Sequence, residues 1–308
     1  MKTLSDKLNK PIDRRSFFKL SGMGVMGAAL PFGMAACSPA GREKVLPYLS
    51  MQLYTVRNEI SRDLQGTLRR LADIGFTHVE TAFWPDGISH REGAGYLRDA
   101  GLSVSSIHAE LPENGDKNLL LELAEIYGSN KVIWHGWPED PRYSSYEGTM
   151  ELVSVYNEVA DFAMANGLEF GLHNHWWEFS NRAGDRLPYQ ILADELHEDI
   201  FFQVDIYWVK VARLDPAAVI RELGSRVRML HVKDGPANPD DISATEPHKP
   251  MTAVGRGTLD IPAIMDAASG YAEWMVIEMD EVDSDVFTKL KDSFSYMIEN
   301  NYATLKQR

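Results

Sequence analysis

The sequence predicts an α/β fold, a (β/α)8 TIM barrel spanning residues 48–308. Three observations carry this. Eight short apolar runs recur along the chain, amphipathic stretches of helical period lie between them, and glycines punctuate the helical ends. The runs fall at 48–54, 77–82, 102–108, 131–135, 168–175, 200–207, 228–233 and 274–279. Between them, 63–74 reads DLQGTLRRLADI and places Leu64, Leu68, Leu71 and Ile74 on one stripe. Residues 118–127 and 146–165 behave in the same way. Gly75, Gly101, Gly128 and Gly167 each follow such a stretch, where a glycine cap is expected. The rival is a doubly wound open sheet, which usually shows a Gly-rich phosphate turn after its first strand. Here that turn reads TVRNEISRD and contains no glycine.

Residues 1–36 stand outside the barrel. They read DRRSFFK and then a mild, Gly- and Ala-rich apolar stretch over 20–36, the pattern of a twin-arginine export signal. At roughly 17 residues that stretch is short for a membrane span. The one cysteine, Cys37, lies in MAACS, which resembles a bacterial lipobox with Met34 an unusual residue three before the cysteine. Two readings stay open: a lipidated Cys37 as the new N-terminus, or an unmodified cysteine in a signal cut nearby. Residues 37–47 then form a linker to the barrel, and the expected location is the periplasm. Beyond Cys37 there is no cysteine, so the barrel uses neither disulfides nor thiol chemistry.

Charge narrows the partners. Residues 1–36 carry six Lys and Arg and two Asp and Glu, so 25 of the 31 basic and 43 of the 45 acidic residues remain beyond them, a net charge of −18. Such a surface repels phosphate backbones and excludes nucleic acid as a natural partner. It favours neutral or cationic ligands, or a metal cation. The only membrane association expected is a lipid anchor at Cys37.

A barrel of this class works at the C-terminal ends of its strands. There the apolar runs turn polar: Glu80, His108, His135, His173 with His175, Asp205, His231 with Lys233, and Glu278, on runs two to eight in order. His173, Asp205, His231 and Glu278 come from four neighbouring runs and suit one divalent cation. The alternative is a hydrogen-bonded polar layer without metal. Two carboxylates buried side by side are costly without a cation between them.

The motifs HNHWWEF, QVDIYWV, LHVKD and WMVIEMD resemble the xylose-isomerase-like barrel superfamily, usually called sugar phosphate isomerases/epimerases. SMQLYTVR at 50–57 and VGRGTLD at 254–260 extend the resemblance over about residues 48–300. It implies one divalent ion (Mn, Co, Zn, Fe, Ni or Mg) held by a carboxylate, an aspartate, a histidine and a final glutamate. Asp205, His231 and Glu278 match the last three. His173 stands where many relatives have glutamate, so a symmetric two-glutamate epimerisation is replaced by one carboxylate base with a histidine or lysine acid. Arg256 likewise replaces a common acidic residue.

The expected chemistry follows from these residue types. A cation stabilises an enediolate, Glu278 or one of His108, His135 and His175 removes the proton next to a carbonyl, and Lys233 stabilises oxyanion charge or donates a proton. Trp84, Trp176 and Trp208 are expected to stack on sugar faces. Glu178 is expected to bind hydroxyls or to orient His175. The connection 234–258, with Pro236, Pro239, Pro247, Pro250, His248 and Lys249, reads as a lid. The leading functional expectation is an isomerase or epimerase of an unphosphorylated sugar or keto-sugar. A 3-keto-glycoside lyase or hydratase on the same metal site, and a non-catalytic sugar-binding lipoprotein, are the alternatives.

Overall fold

The computed structural model describes residues 45–82, 84–112, 115–137, 139–237 and 250–307. The segment expected to be an export signal, Cys37 and most of the expected linker lie outside the described residues, as do Pro239, Pro247, His248 and Lys249 of the expected lid. Among the described residues no helix is long and apolar enough to cross a membrane.

Eight parallel strands form the sheet: β1 (Tyr48–Met51), β2 (His78–Thr81), β3 (Ser103–His108), β4 (Lys131–Trp134), β5 (Glu169–His173), β6 (Phe201–Asp205), β7 (Val227–Val232) and β8 (Trp274–Ile277). Their order is β1-β8-β7-β6-β5-β4-β3-β2. The remaining seam, between β1 and β2, is drawn together by one bridge, Gln52 to Glu80. Helices separate the strands and cover the outside of the sheet.

The helix between β4 and β5 is Tyr146–Ala165, with the bounds the sequence predicts. Ser145 caps it by accepting from Gly148 N–H at 3.0 Å. Asn118–Tyr127 also agrees, and it ends on Gly128 at φ 65°, a left-handed cap that glycine adopts without strain.

Several strands stop short of the apolar runs, and the cause is the same each time: a polar side chain at the strand end captures backbone N–H groups and starts a turn. Asp205 Oδ1 accepts from Tyr207 and Trp208 N–H, both at 2.9 Å. Residues 206–207 therefore open the helix Ile206–Val211 instead of extending β6. Gln52 accepts from Tyr54 N–H and ends β1 four residues into the run expected to reach 54. Glu178 accepts from His175 N–H, so Asn174 and His175 leave β5 for a turn.

Side-chain alternation sorts the barrel interior into layers. Phe201, Gln203 and Asp205 share one face of β6; Met229 and His231 share one face of β7; Gly171 and His173 share one face of β5. Ile133, Phe201, Met229, Trp274 and Val276 pack into an apolar cluster of their own. The histidines and acids follow on the same strand faces, one or two pleats further along. At the opposite, N-terminal strand ends, Lys131 and Arg228 pair with Glu169 and Glu273.

Gly171 lies opposite Phe201 in the β5–β6 register, and an added Cβ would sit 2.4 Å from the Phe201 ring. Gly171→Ala should therefore destabilise the barrel by about 1–3 kcal/mol through overpacking. Urea denaturation of the variant beside wild type measures it; an unchanged midpoint would place Gly171 elsewhere than against the interior cluster.

Candidate active site

Glu80 is the centre of the polar layer. Its carboxylate has no solvent exposure. Oε1 accepts from Gln52 Nε2 at 2.8 Å and lies 2.6 Å from His231 Nε2 and 3.1 Å from His108 Nε2. Oε2 accepts from Ser106 Oγ at 2.5 Å and Gln203 Nε2 at 2.6 Å. Burial pushes the carboxyl pKa upward, but the two imidazoles outweigh it and hold Glu80 well below the usual carboxylate range. The Gln203 amide also assigns a proton. Its nitrogen is turned to Glu80, so its oxygen faces His108 Nε2 at 2.9 Å and can only accept. His108 therefore carries hydrogen on Nε2. The His108 and His231 rings are nearly parallel, 5° apart in plane with centroids 5.4 Å apart.

Above this layer the ends of β6, β7 and β8 converge. One ligand atom from each of Asp205, His231 and Glu278 lies within 4.8 Å of the others. His231 Nδ1 is 2.5 Å from Glu278 Oε2. Asp205 spends Oδ1 on the helix start, while Asp205 Oδ2, His231 Nδ1 and Glu278 Oε2 are buried and are met by one another and by Lys233 as ion pairs. The fully buried Lys233 ammonium stands 2.9 Å from Asp205 Oδ2 and from Glu278 Oε2, and donates to both oxygens of Asp280.

The charges support one another. Burial would depress Lys233, but Asp205, Asp280 and Glu278 hold it well above its ordinary pKa. Burial opposes the ionisation of Glu278; Lys233 and His231 outweigh it and keep the carboxyl low. Burial raises Asp205 despite Lys233 and His231. Burial also opposes a charged His231, yet Glu278 and Glu80 raise it to about 10. Asp205, His231 and Glu278 offer an oxygen, nitrogen, oxygen set in a buried mouth, which suits a divalent transition ion.

The other wall is made of imidazoles. His108, His135, His175 and His173 form a closed circuit, with ring centroids 6.0, 5.7, 4.8 and 5.3 Å apart in that order round to His108. Burial, reinforced by neighbouring imidazoles, lowers His135 to about 3 and takes His173 and His175 well below their ordinary range, so these three are neutral. The ring nitrogens of His108, His173 and His231 form a second set within 4.8 Å of one another. His173 thus groups with the His108 and His231 imidazoles, not with the two carboxylates as the sequence suggests, and its nearest ring is His231, 4.3 Å between centroids.

The remaining predicted residues divide. His175 stacks on Trp177, 4.4 Å between centroids, and Trp208 is buried 5.8 Å from the Lys233 ammonium. Trp176 is half-buried, edge-on to Trp177. Trp84 is a correction: its indole N–H donates to Tyr127 at 2.7 Å and its ring covers Gly93, so it packs the helical layer and does not wall the site. Of the two roles expected of Glu178, binding hydroxyls or orienting His175, the structure agrees with the second: it is buried behind the turn and accepts from His175 N–H. Asn174 accepts from Asp205 N–H and ties the ends of β5 and β6.

Sequence reasoning left Gln52, Ser106, Gln203 and Asp280 out of the site and gave Glu80 no role. The alternation by two was the available signal, since Gln203 precedes Asp205 and Asp280 follows Glu278 by two.

Residues 68–299 match the model of a family described as xylose isomerase-like TIM barrel. The chain is 22% identical over 172 residues to an inosose dehydratase of Serratia proteamaculans (strain 568), covering 51% of this chain. It spans about half of that relative, 54% of its length. Among solved structures it resembles a sugar phosphate isomerase/epimerase from Parabacteroides distasonis ATCC 8503, at TM-score 0.70 and 18% identity over 84% of this chain and 100% of that one. It also resembles the IOLI protein with a bound zinc atom, at TM-score 0.65 and 13% identity over 83% of this chain and 100% of that one.

Burial raises the Glu178 carboxyl from 4.5 to about 8, against the pull of its own and His175's backbone N–H groups. A raised acid stabilises the fold fully below about pH 4.5 and loses that contribution as pH climbs through about 8. Glu178→Gln keeps a neutral acceptor for His175, so it should match wild type at pH 5 and exceed it in stability at pH 9. Chemical denaturation at both pH values reads the difference, and parallel curves would show that Glu178 is not buried as a neutral acid.

Proposed function

The chain belongs to the xylose isomerase-like TIM barrel family, and on that premise we propose that it is a divalent-metal-dependent isomerase or epimerase. Its substrate in this reading is an unphosphorylated sugar or keto-sugar, and its chemistry is proton transfer next to a carbonyl. The observation that carries the reading is the convergence of Asp205, His231 and Glu278 beside a buried, charged Lys233. A divalent ion held by those three residues would supply Lewis-acid polarisation of a substrate oxygen.

The chain's own groups supply the rest. Glu278, kept ionised by Lys233 and His231, is the base that takes the proton adjacent to the carbonyl. Lys233 stays protonated and donates to oxyanion charge as it develops, in a site where water is scarce and such a contact is strong. On the opposite wall the neutral imidazoles of His135 and His175 can accept or relay a proton. Trp177 and Trp208 pack behind them and exclude water.

His173, in place of the carboxylate common in relatives, also supports a second reading. With one carboxylate base and a cationic donor, the same residues suit β-elimination from a 3-keto-glycoside, or hydration in reverse. The twin-arginine signal and Cys37 belong to either reading and would place the barrel in the periplasm, where an uncharged sugar suits the net charge of −18 carried beyond residue 36.

The test is deuterium incorporation from solvent into a panel of ketoses and 3-keto-glucosides, followed by NMR, with aglycone release followed in parallel. Glu278→Gln should lower the rate about 10²–10⁴-fold. Chelator treatment should abolish it and Mn, Co or Zn should restore it. Retained sugar binding with no exchange in wild type would instead identify a binding protein.

A further inference from the structure

We propose that the N-terminal face of the barrel is a membrane-facing surface. It rests on the bilayer to which Cys37 anchors the chain, and the catalytic mouth, at the other end of the strands, opens away from the membrane. The inference depends on the reading of Cys37 as a lipid anchor and not on the chemistry proposed for the mouth.

The first argument is where the chain enters. Residues 45–47 lead directly into β1 at this face, and Thr304 fastens them there. Its N–H donates to Pro47 O and its carbonyl accepts from Leu49 N–H, both at 2.8 Å. Seven residues, 38–44, separate Cys37 from Val45. Fully extended, the eight steps from 37 to 45 span at most about 29 Å. Every strand pairs in parallel with its neighbours, so all eight begin at this end and finish at the mouth. The face on which the strands begin is therefore the one that such a short tether brings to a bilayer.

The second argument is what the face presents. Val45, Tyr48, Tyr271 and Leu305 are large apolar side chains left exposed, Val45 by 85%. Val45, Tyr48 and Tyr271 line a single depression, together with Trp274 and Lys306. The Tyr48 and Trp274 rings are 5.4 Å apart, and the Lys306 ammonium stands over both, 5.6 and 5.3 Å from their centroids. An isolated exposed apolar residue needs no explanation, but a contiguous set does. Tyrosine and tryptophan pair an apolar ring with a polar handle and gather where hydrocarbon meets water. Lysine reaches headgroups with its ammonium while its stem lies on apolar surface.

The third argument is charge. The charged groups lining the depression are Lys131, Lys306 and Glu273, a surplus of one positive charge. The chain beyond residue 36 carries −18. At this face Lys131 and Arg228 neutralise Glu169 and Glu273, so the acidic excess lies elsewhere. A bilayer with anionic headgroups complements the surplus, whereas a second copy of the chain would set the same positive depression against itself. A patch of this size binds weakly alone. The tether supplies a high effective concentration, and lipid plus patch together make the two signals that stable attachment takes.

The experiment reads orientation. Cys37 is the one cysteine of the chain, so once it carries lipid, a cysteine placed elsewhere is a unique label. Leu305→Cys marks the N-terminal face. Glu147→Cys, in the first turn of Tyr146–Ala165, marks the mouth end. The exported, processed protein bearing either label as a fluorophore is bound to vesicles of phosphatidylethanolamine with a minor share of phosphatidylglycerol and a brominated lipid as quencher. Quenching is expected at 305 and not at 147. Adding Val45→Glu and Tyr271→Glu, both at exposed positions, should reduce the quenching at 305 several-fold while flotation shows the protein still on the vesicles. Mass spectrometry of the same protein reads the lipid on Cys37.

Equal quenching at the two positions, or quenching at 305 that ignores Val45→Glu and Tyr271→Glu, would overturn the proposal. So would a processed chain without lipid on Cys37. A dimer in detergent that Tyr271→Glu dissolves would assign the patch to a second copy and overturn the membrane contact. None of these outcomes touches the reaction proposed at the mouth, since quenching is read without turnover.

Discussion

A carboxylate without access to water must be met by donors on every side, and Glu80 is such a group. Leaving it unpaired would cost several kcal/mol, so the chain has to bring partners to it. They come from the end of β1 (Gln52), from β3 (Ser106 and His108), from β6 (Gln203) and from β7 (His231). The seam between β1 and β2 is drawn together at the same point, by the bridge between Gln52 and Glu80. One buried charge therefore links barrel closure to the orientation of the imidazoles above it.

The rest of the mouth is built by groups that hold backbone with one atom and leave another for chemistry. Asp205 caps a helix with Oδ1 and keeps Oδ2 for the site. Asn174 ties β5 to β6 beside it. Asp234, next to Lys233, accepts from the N–H groups of Gly235, Gly255, Gly257 and Leu259, so the return of the long connection is pinned under the rim. A Cβ on Gly257 would lie 2.0 Å from that carboxylate, which is why glycine is needed there. These local bonds set each site residue on rigid elements and not on free loops.

Electrostatics divides the mouth into two halves. On the side of β6 to β8, carboxylates, a protonated lysine and a charged His231 stabilise one another. On the side of β4 and β5, burial and mutual repulsion keep His135, His173 and His175 neutral. Groups that titrate alike in water are thus driven to opposite protonation states within one cavity, the condition for acid and base roles to coexist at one pH.

The periodicity of the chain by itself determined the barrel. Eight apolar runs at regular spacing admit few other closures, and glycines such as Gly128 mark helix ends through backbone freedom that is local. Residue type and strand position likewise brought Asp205, His231, Lys233 and Glu278 to one rim, since the ends of β6, β7 and β8 are neighbours in any such barrel. What only the tertiary structure decided is which atom of each side chain faces which partner. Glu80 lies 151 positions from His231, and Gln203 lies 95 from His108. The strand ends also moved, because Gln52, Asp205 and Glu178 capture N–H groups two or three residues away and turn the chain early. Trp84 shows the same limit from the other side. It looks chemical in sequence, yet Tyr127 claims it, and such claims depend on packing across distant segments that no local pattern encodes.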